Sequence, residues 1–170
     1  MSGTSDVLRG LKRIAGVRYP VLVPNMKGLS MLLELLDNHN PAKEPPPTDE
    51  IAIFVAASES FSRANVNCSI TESLERVAPV VEMALSRGLR VRGYVSTVIA
   101  CPYEGPISPT AVRDVSKSLI DMGCYEISLG DTTGQGTPTT MSQMLEQVLA
   151  VTRPDQLAVC MLPGTLVEFG

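Results

Sequence analysis

The 170-residue chain has no tryptophan, one histidine, three phenylalanines and four tyrosines. So few rings leave no stacking platform for single-stranded nucleic acid. Its 14 basic and 18 acidic residues form no block of like charge, and the net charge of −4 speaks against nucleic acid or an anionic membrane as the main partner. The longest apolar runs are of strand length, well short of a membrane span. Cys68, Cys101, Cys124 and Cys160 are scattered with no Cys-x-x-Cys pair, which excludes a zinc ribbon and a disulfide scaffold. They read as small, reduced, half-buried residues of an intracellular protein. Among them Cys101, beside Pro102, is the best candidate for a reactive thiol. The opening Met1-Ser-Gly-Thr-Ser-Asp6 is polar and runs directly into Val7-Leu8, which does not describe a signal peptide. No Lys-Ser/Thr follows Gly130, Gly134 and Gly136, so they form no P-loop.

What the chain does have is alternation. Val7 to Ala15 has helical spacing, Tyr19 to Val23 is a continuous apolar run, and Gly28 to Leu36 is helical again. Residues 37–50 read as a Pro-rich surface insert, a solvated loop with four prolines and no part in the core. Ile51 to Ala57 is a second buried strand. Ser69-Ile-Thr-Glu72 is a capping box opening a helix to Arg87, with Pro79 inside it and Gly88 to end it. Leu89 to Ser96 is a third strand, and Thr97 to Pro106 a long loop. Ser108-Pro109 starts a helix to Met122. After a fourth strand, Tyr125 to Leu129, a helix from Thr139 to Thr152 leads to a fifth, Leu157 to Leu162. This order implies α/β architecture with five parallel strands. A half-wound sheet and part of a (β/α)8 barrel fit the pattern equally well.

The richest stretch is Gly123-Cys-Tyr-Glu-Ile-Ser-Leu-Gly-Asp-Thr-Thr-Gly-Gln-Gly-Thr-Pro138. A carboxylate and two hydroxyls follow a buried strand in a glycine-rich turn, where α/β enzymes place chemistry. An aspartate that merely caps the next turn fits the stretch just as well. Glu59, at another strand exit, reads either as a ligand or as part of a helix-capping turn from Ser58 to Ser62. His39, in the Pro-rich insert, reads as a surface residue.

Four phrases in order carry a resemblance: Tyr19-Pro-Val-Leu-Val-Pro-Asn-Met-Lys-Gly28; Asn65-Val-Asn-Cys-Ser-Ile70; Val91-Arg-Gly-Tyr-Val-Ser96 with Cys101-Pro-Tyr-Glu-Gly105; and Met122-Gly-Cys-Tyr-Glu-Ile-Ser-Leu-Gly-Asp-Thr132. From about Gly10 to Val159 the chain resembles the hydroxymethylglutaryl-CoA lyases. The resemblance implies a single, partial TIM-barrel lyase domain over residues 1–170, its five strands matching the family's third to seventh. It implies cleavage of 3-hydroxy-3-methylglutaryl-CoA to acetyl-CoA and acetoacetate, as in leucine degradation and ketone-body formation. It also implies an acyl-CoA partner, a homodimer for the intact family and a mitochondrial or peroxisomal setting. With no targeting signal in view, a cytoplasmic one stays open.

By the same resemblance, Asp131 and Tyr94 are the catalytic candidates, Asp131 near the substrate hydroxyl. Asn25, Arg92 and Thr132 are the substrate-binding candidates. A dry cavity favours protonated carboxylates, which suits a proton carrier there. Arg92 precedes Tyr94 by one strand period, so both side chains are expected on the barrel-interior face. There Arg92 orients Asp131 or another acid, or makes a structural ion pair.

The family uses a divalent cation, magnesium or manganese. Its Arg-Asp pair, its His-x-His-Asp run, a metal-binding Asn and a catalytic Cys have no match here. Cys160-Met-Leu-Pro163 stands where the histidines belong, and residues 160–170 read as a divergent tail. A thiol does not replace a hard oxygen-and-imidazole site. No metal ligand is therefore assigned, the chain alone is expected to be inactive, and a truncated gene model or splice form is the favoured explanation. The alternative is a non-catalytic barrel fragment or interaction module.

Overall fold

The computed structural model describes residues 7–8, 10–11, 14, 16–40 and 46–161. Residues 9, 12, 13 and 15 of the expected helix from Val7 to Ala15 fall outside them, as do residues 41–45 of the Pro-rich stretch and residues 162–170 of the tail.

Five parallel strands form one sheet: β1 (Val21–Leu22), β2 (Glu50–Ala56), β3 (Arg90–Ser96), β6 (Glu126–Asp131) and β7 (Leu157–Met161), in that spatial order. Between β3 and β6, β4 (Ala100–Cys101) and β5 (Gly105–Pro106) make a small antiparallel ribbon. The helices are α1 (Met26–Asp37), α2 (Glu59–Val66), α3 (Ile70–Ser86), α4 (Pro109–Asp121) and α5 (Pro138–Leu149). A 3-10 turn, Pro154–Gln156, leads into β7. This is the expected α/β architecture, a run of parallel strands as in part of a TIM barrel.

Side chains alternate across each strand, so the sheet has two faces. Ile51, Ile53 and Val55 of β2, Val91 and Val95 of β3, and Ile127 and Leu129 of β6 are buried with the apolar stripes of the helices. Val77, Val80, Val81 and Ala84 of α3, Val112, Val115 and Leu119 of α4, and Met144 and Val148 of α5 complete that core. The opposite face carries Phe54, Arg92, Tyr94, Ser96 and Glu126, all part-exposed, beside the buried Glu50, Ala52, Ala56 and Ser128. Burial of the odd-numbered face under helices thus leaves the even-numbered face for other work.

The helix starts obey local chemistry. The Ser69 side chain accepts from the Glu72 amide while Glu72 Oε2 accepts from the Ser69 amide at 2.8 Å, the expected box. Thr137 caps α5 in the same reciprocal way with Thr140. Ser108 differs: its hydroxyl bonds Thr110 Oγ1 and makes no cap to a backbone amide.

Three expectations change. Thr97 to Pro106 is no plain loop, because its ends pair as the β4–β5 ribbon. Strand β6 runs two residues past Leu129, since β7 pairs with Gly130 and Asp131. The end of the Pro-rich stretch is not wholly solvated. Thr48 is buried, its hydroxyl donates to carbonyls of Tyr19 and Glu50, and Glu50 opens β2 fully buried. Unpaired backbone groups at a strand start need partners, and Thr48 supplies them.

Gly93 sits where β3 meets α4. A Cβ there lies 3.0 Å from Leu119 Cδ1 and 3.2 Å from Ile127 Cδ1. Gly93→Val should therefore overpack the helix-facing core and cost about 1–3 kcal/mol, read as a lowered urea midpoint.

Candidate functional site

The carboxyl ends of the strands bring Asn25, Tyr94, Ser96, Asp131 and Thr132 to one end of the sheet. In open α/β sheets and barrels this is the end that binds ligands. The candidates divide by which face they occupy and by what already holds them.

Arg92 and Tyr94 share the even-numbered face, as their spacing predicts. Register places Glu126 beside Arg92 and Ser128 beside Tyr94. The acid that Arg92 meets is Glu126 and not Asp131. Arg92 Nε donates to Glu126 Oε1 at 2.7 Å, Nη2 donates to the same oxygen, and Nη1 donates to the Tyr94 hydroxyl at 3.3 Å. Burial alone would disfavour the charged guanidinium, but the bonds to Glu126 and Tyr94 hold its pKa above the ordinary value.

Asp131 lies on the other alternation, with Ile127 and Leu129. It is 1% exposed, its Oδ1 accepts from the Gln135 amide at 3.3 Å, and its Oδ2 accepts from the Gly136 amide at 2.7 Å. A Cβ at Gly136 would stand 2.8 Å from that oxygen, so the loop closes on the carboxylate only because residue 136 is glycine. The turn-capping reading describes what these bonds do. Asp131 and Tyr94 lie on adjacent strands, Tyr94 level with Ser128, and do not share a face.

Thr132 is also engaged. Its Oγ1 accepts from the Thr97 amide at 2.8 Å. Thr97 is fully buried with φ at +58°, a left-handed backbone that a β-branched residue rarely adopts. Its own hydroxyl donates to the Ser96 carbonyl at 2.6 Å, and the Val98 amide donates to the Gly130 carbonyl at 3.2 Å. These bonds hold a strained turn, of the kind that collects at functional rims, between the exits of β3 and β6. Asn25 caps α1, its Oδ1 accepting from the Gly28 amide at 3.0 Å.

Two features had little or no signal in the sequence. Glu126, the partner of Arg92, follows Tyr125 within a strand and becomes meaningful only through register. The ribbon tip folds onto α2: Glu104 Oε2 accepts from the Ser60 hydroxyl at 2.8 Å, and the Tyr103 ring lies 6.4 Å from that of Phe61. The hydroxyls of Ser58 and Ser60, then the Ser60 and Glu59 amides, hold the Glu104 carboxyl below its usual range. Ser58 also caps α2 through the Phe61 amide, so the capping reading of this turn holds, and Glu59 accepts from the Ile70 amide. Cys101 is buried, with its sulfur accepting from the Tyr103 amide, and lacks the access a reactive thiol needs.

The HMGL-like family model matches residues 24–161. The chain belongs to the HMGL-like family. A mouse protein, the cytoplasmic 3-hydroxy-3-methylglutaryl-CoA lyase, is 50% identical over 159 residues, covering 94% of this chain and 43% of its own length. The bovine mitochondrial hydroxymethylglutaryl-CoA lyase is 48% identical over the same number of residues, covering 94% of this chain and 46% of its own. The crystal structure of the lyase from Brucella melitensis superposes with a TM-score of 0.85 at 46% identity, over 95% of this chain and 53% of that one. These relatives of the HMGL-like chain are carbon–carbon lyases, and it spans about half the length of each. Cytoplasmic and mitochondrial relatives match almost equally well, so similarity does not choose a compartment.

Two measurements probe the rim. Thr132→Val leaves the Thr97 amide unpaired and should cost about 1–2 kcal/mol in urea unfolding, while Thr132→Ser keeps the acceptor and the stability. Glu104 has a lowered folded-state pKa, so its contribution is complete above the ordinary carboxyl value and is lost as pH falls through the lowered one. Hydrogen exchange in residues 100–106 should quicken at acid pH, and Glu104→Gln should reproduce this at neutral pH.

Proposed function

We propose that the even-numbered face of the sheet receives 3-hydroxy-3-methylglutaryl-CoA and forms one wall of the site that cleaves it to acetyl-CoA and acetoacetate. One observation carries the reading. An ordered Arg92–Tyr94–Glu126 group stands part-exposed on the even-numbered sheet face, in a chain about half identical to proteins named for that substrate. The cleavage removes a proton from a tertiary hydroxyl and leaves an enolate on the departing acetyl thioester. In this reading Tyr94 donates to an oxygen of the acyl group. Asn25, with Oδ1 committed to its cap, offers its amide hydrogens at the exit of β1. Thr132 acts through the turn it holds. Asp131 remains the candidate proton carrier, and in that role it must leave the Gln135 and Gly136 amides, so the loop moves with it.

A divalent cation, magnesium or manganese in the family, supplies Lewis acidity to such a reaction. The donor set here does not fit a hard cation. Among the described residues no three His, Cys, Asp or Glu side chains converge, both Asp131 oxygens accept loop amides, and Cys160 is a soft ligand. The reaction in full is therefore assigned to the longer relatives, and the chain alone binds without cleaving. A second reading, an interaction module, draws on the exposed Val159, Cys160 and Met161 along the outer strand β7.

With magnesium or manganese present, the 170-residue chain should bind 3-hydroxy-3-methylglutaryl-CoA in calorimetry yet release no acetoacetate. Tyr94→Phe should weaken that binding about ten-fold through loss of one buried hydrogen bond. Acetoacetate release by the wild-type chain would overturn the assignment of the cation to other residues. No acyl-CoA binding would overturn the site itself.

A further inference from the structure

Glu126 sits next to the catalytic candidates without touching the end of the sheet where they open. Its single oxygen Oε1 takes both Nε and Nη2 of Arg92, and the third arm of the same guanidinium, Nη1, donates to the Tyr94 hydroxyl. The guanidinium carbon lies 5.8 Å from the centre of the Tyr94 ring. The Arg92 and Glu126 side chains are 26% and 19% exposed, enough burial for the pair to feel a reduced dielectric.

We propose that Glu126 is a positioning residue: it fixes Arg92 so that Tyr94 presents its O–H as a donor to a thioester or carboxylate oxygen of the acyl group. This rests on the acyl-CoA reading of the wall given above. A guanidinium has donors only, so the Tyr94 oxygen meets it as an acceptor. The phenolic hydrogen must then turn toward another oxygen, and Tyr94 stands part-exposed on its face of the sheet. Arg92 carries large rotamer freedom, which a single contact to a phenol at 3.3 Å would not freeze. The bonds to Glu126 freeze it. They also match its charge, so Arg92 does not serve as the cation that grips the free carboxylate of the substrate. Left unmatched, the same guanidinium would compete with Tyr94 for that carboxylate. Specificity on this wall is therefore set by a neutral donor held in place by a compensated ion pair.

The test uses the full chain with arginine labelled in nitrogen and tyrosine in ring carbon. The Arg92 Nε–H should exchange slowly, and Glu126→Gln should speed it about ten-fold as a charge-assisted bond is lost. The Tyr94 ring signal, assigned with Tyr94→Phe, should move in Glu126→Gln and also in Arg92→Lys, which keeps the charge but lacks the fork. In calorimetry Glu126→Gln should weaken 3-hydroxy-3-methylglutaryl-CoA about ten-fold and leave free coenzyme A unchanged, a difference that a purely structural ion pair would not produce. Unfolding in urea separates these effects from loss of fold. An Arg92 signal or a Tyr94 signal indifferent to Glu126→Gln overturns the proposal, as does equal weakening of both ligands. Signals that respond as expected, beside a wild-type chain that binds no acyl-CoA, overturn the acyl-CoA site and leave the side-chain order standing, so the two failures are told apart.

Discussion

Parallel pairing of the central strands β2, β3 and β6, whose odd-numbered residues are mainly Val, Ile and Leu, is the constraint on which everything else rests. Those residues reach water exclusion only by turning together toward the helices, and a slip of one residue in any strand would send its whole set to the wrong face. Register is thus fixed by burial. Once it is fixed, the even-numbered residues are aligned too, and Arg92, Tyr94, Glu126 and Ser128 become neighbours without any interaction of their own having to bring them together. The polar wall is a by-product of the apolar one.

At the rim the same logic works through hydrogen bonds. Strand β6 ends in Asp131 and Thr132, and both are spent on shaping their surroundings. Asp131 folds the glycine loop back toward α5, and Thr132 ties the exit of β3 to that of β6. Glu104 does the same for the ribbon by bonding at the start of α2. Deeper in, Glu50 is fully buried, with one oxygen accepting from the Tyr125 hydroxyl at 2.6 Å and Arg18 3.7 Å from the other. Burial first, and then the bond to Glu50, push the Tyr125 phenol above its ordinary pKa. Arg90 lies 3.6 Å over the same ring, so the amino ends of β2 and β3 are also joined by polar contacts.

Much of this could be read in the residues themselves. Ser69-Ile-Thr-Glu72 and Thr137-Pro138 announce their helices because capping is local and its partners lie three residues away. The strands of the core announce themselves because continuous apolar runs have few other uses. Harder were the ribbon of Ala100–Cys101 with Gly105–Pro106, too short to have a period, and Thr48, whose partner Tyr19 lies 29 residues away. The four phrases around Asn25, Asn65, Tyr94 and Asp131 named the family because order and spacing repeat over most of the chain.

By itself the sequence determined the order of elements, the helix starts, the family, and the common face of Arg92 and Tyr94. All of these follow from neighbours a few residues apart or from a long match of pattern. Only the tertiary structure decided that Arg92 answers to Glu126 and that Asp131 is turned into its own loop. The first depends on which residues stand side by side on strands 34 positions apart. The second depends on how far β6 extends, which pairing with β7 sets. Distances of that kind are created by burial of the sheet and exist nowhere along the unfolded chain.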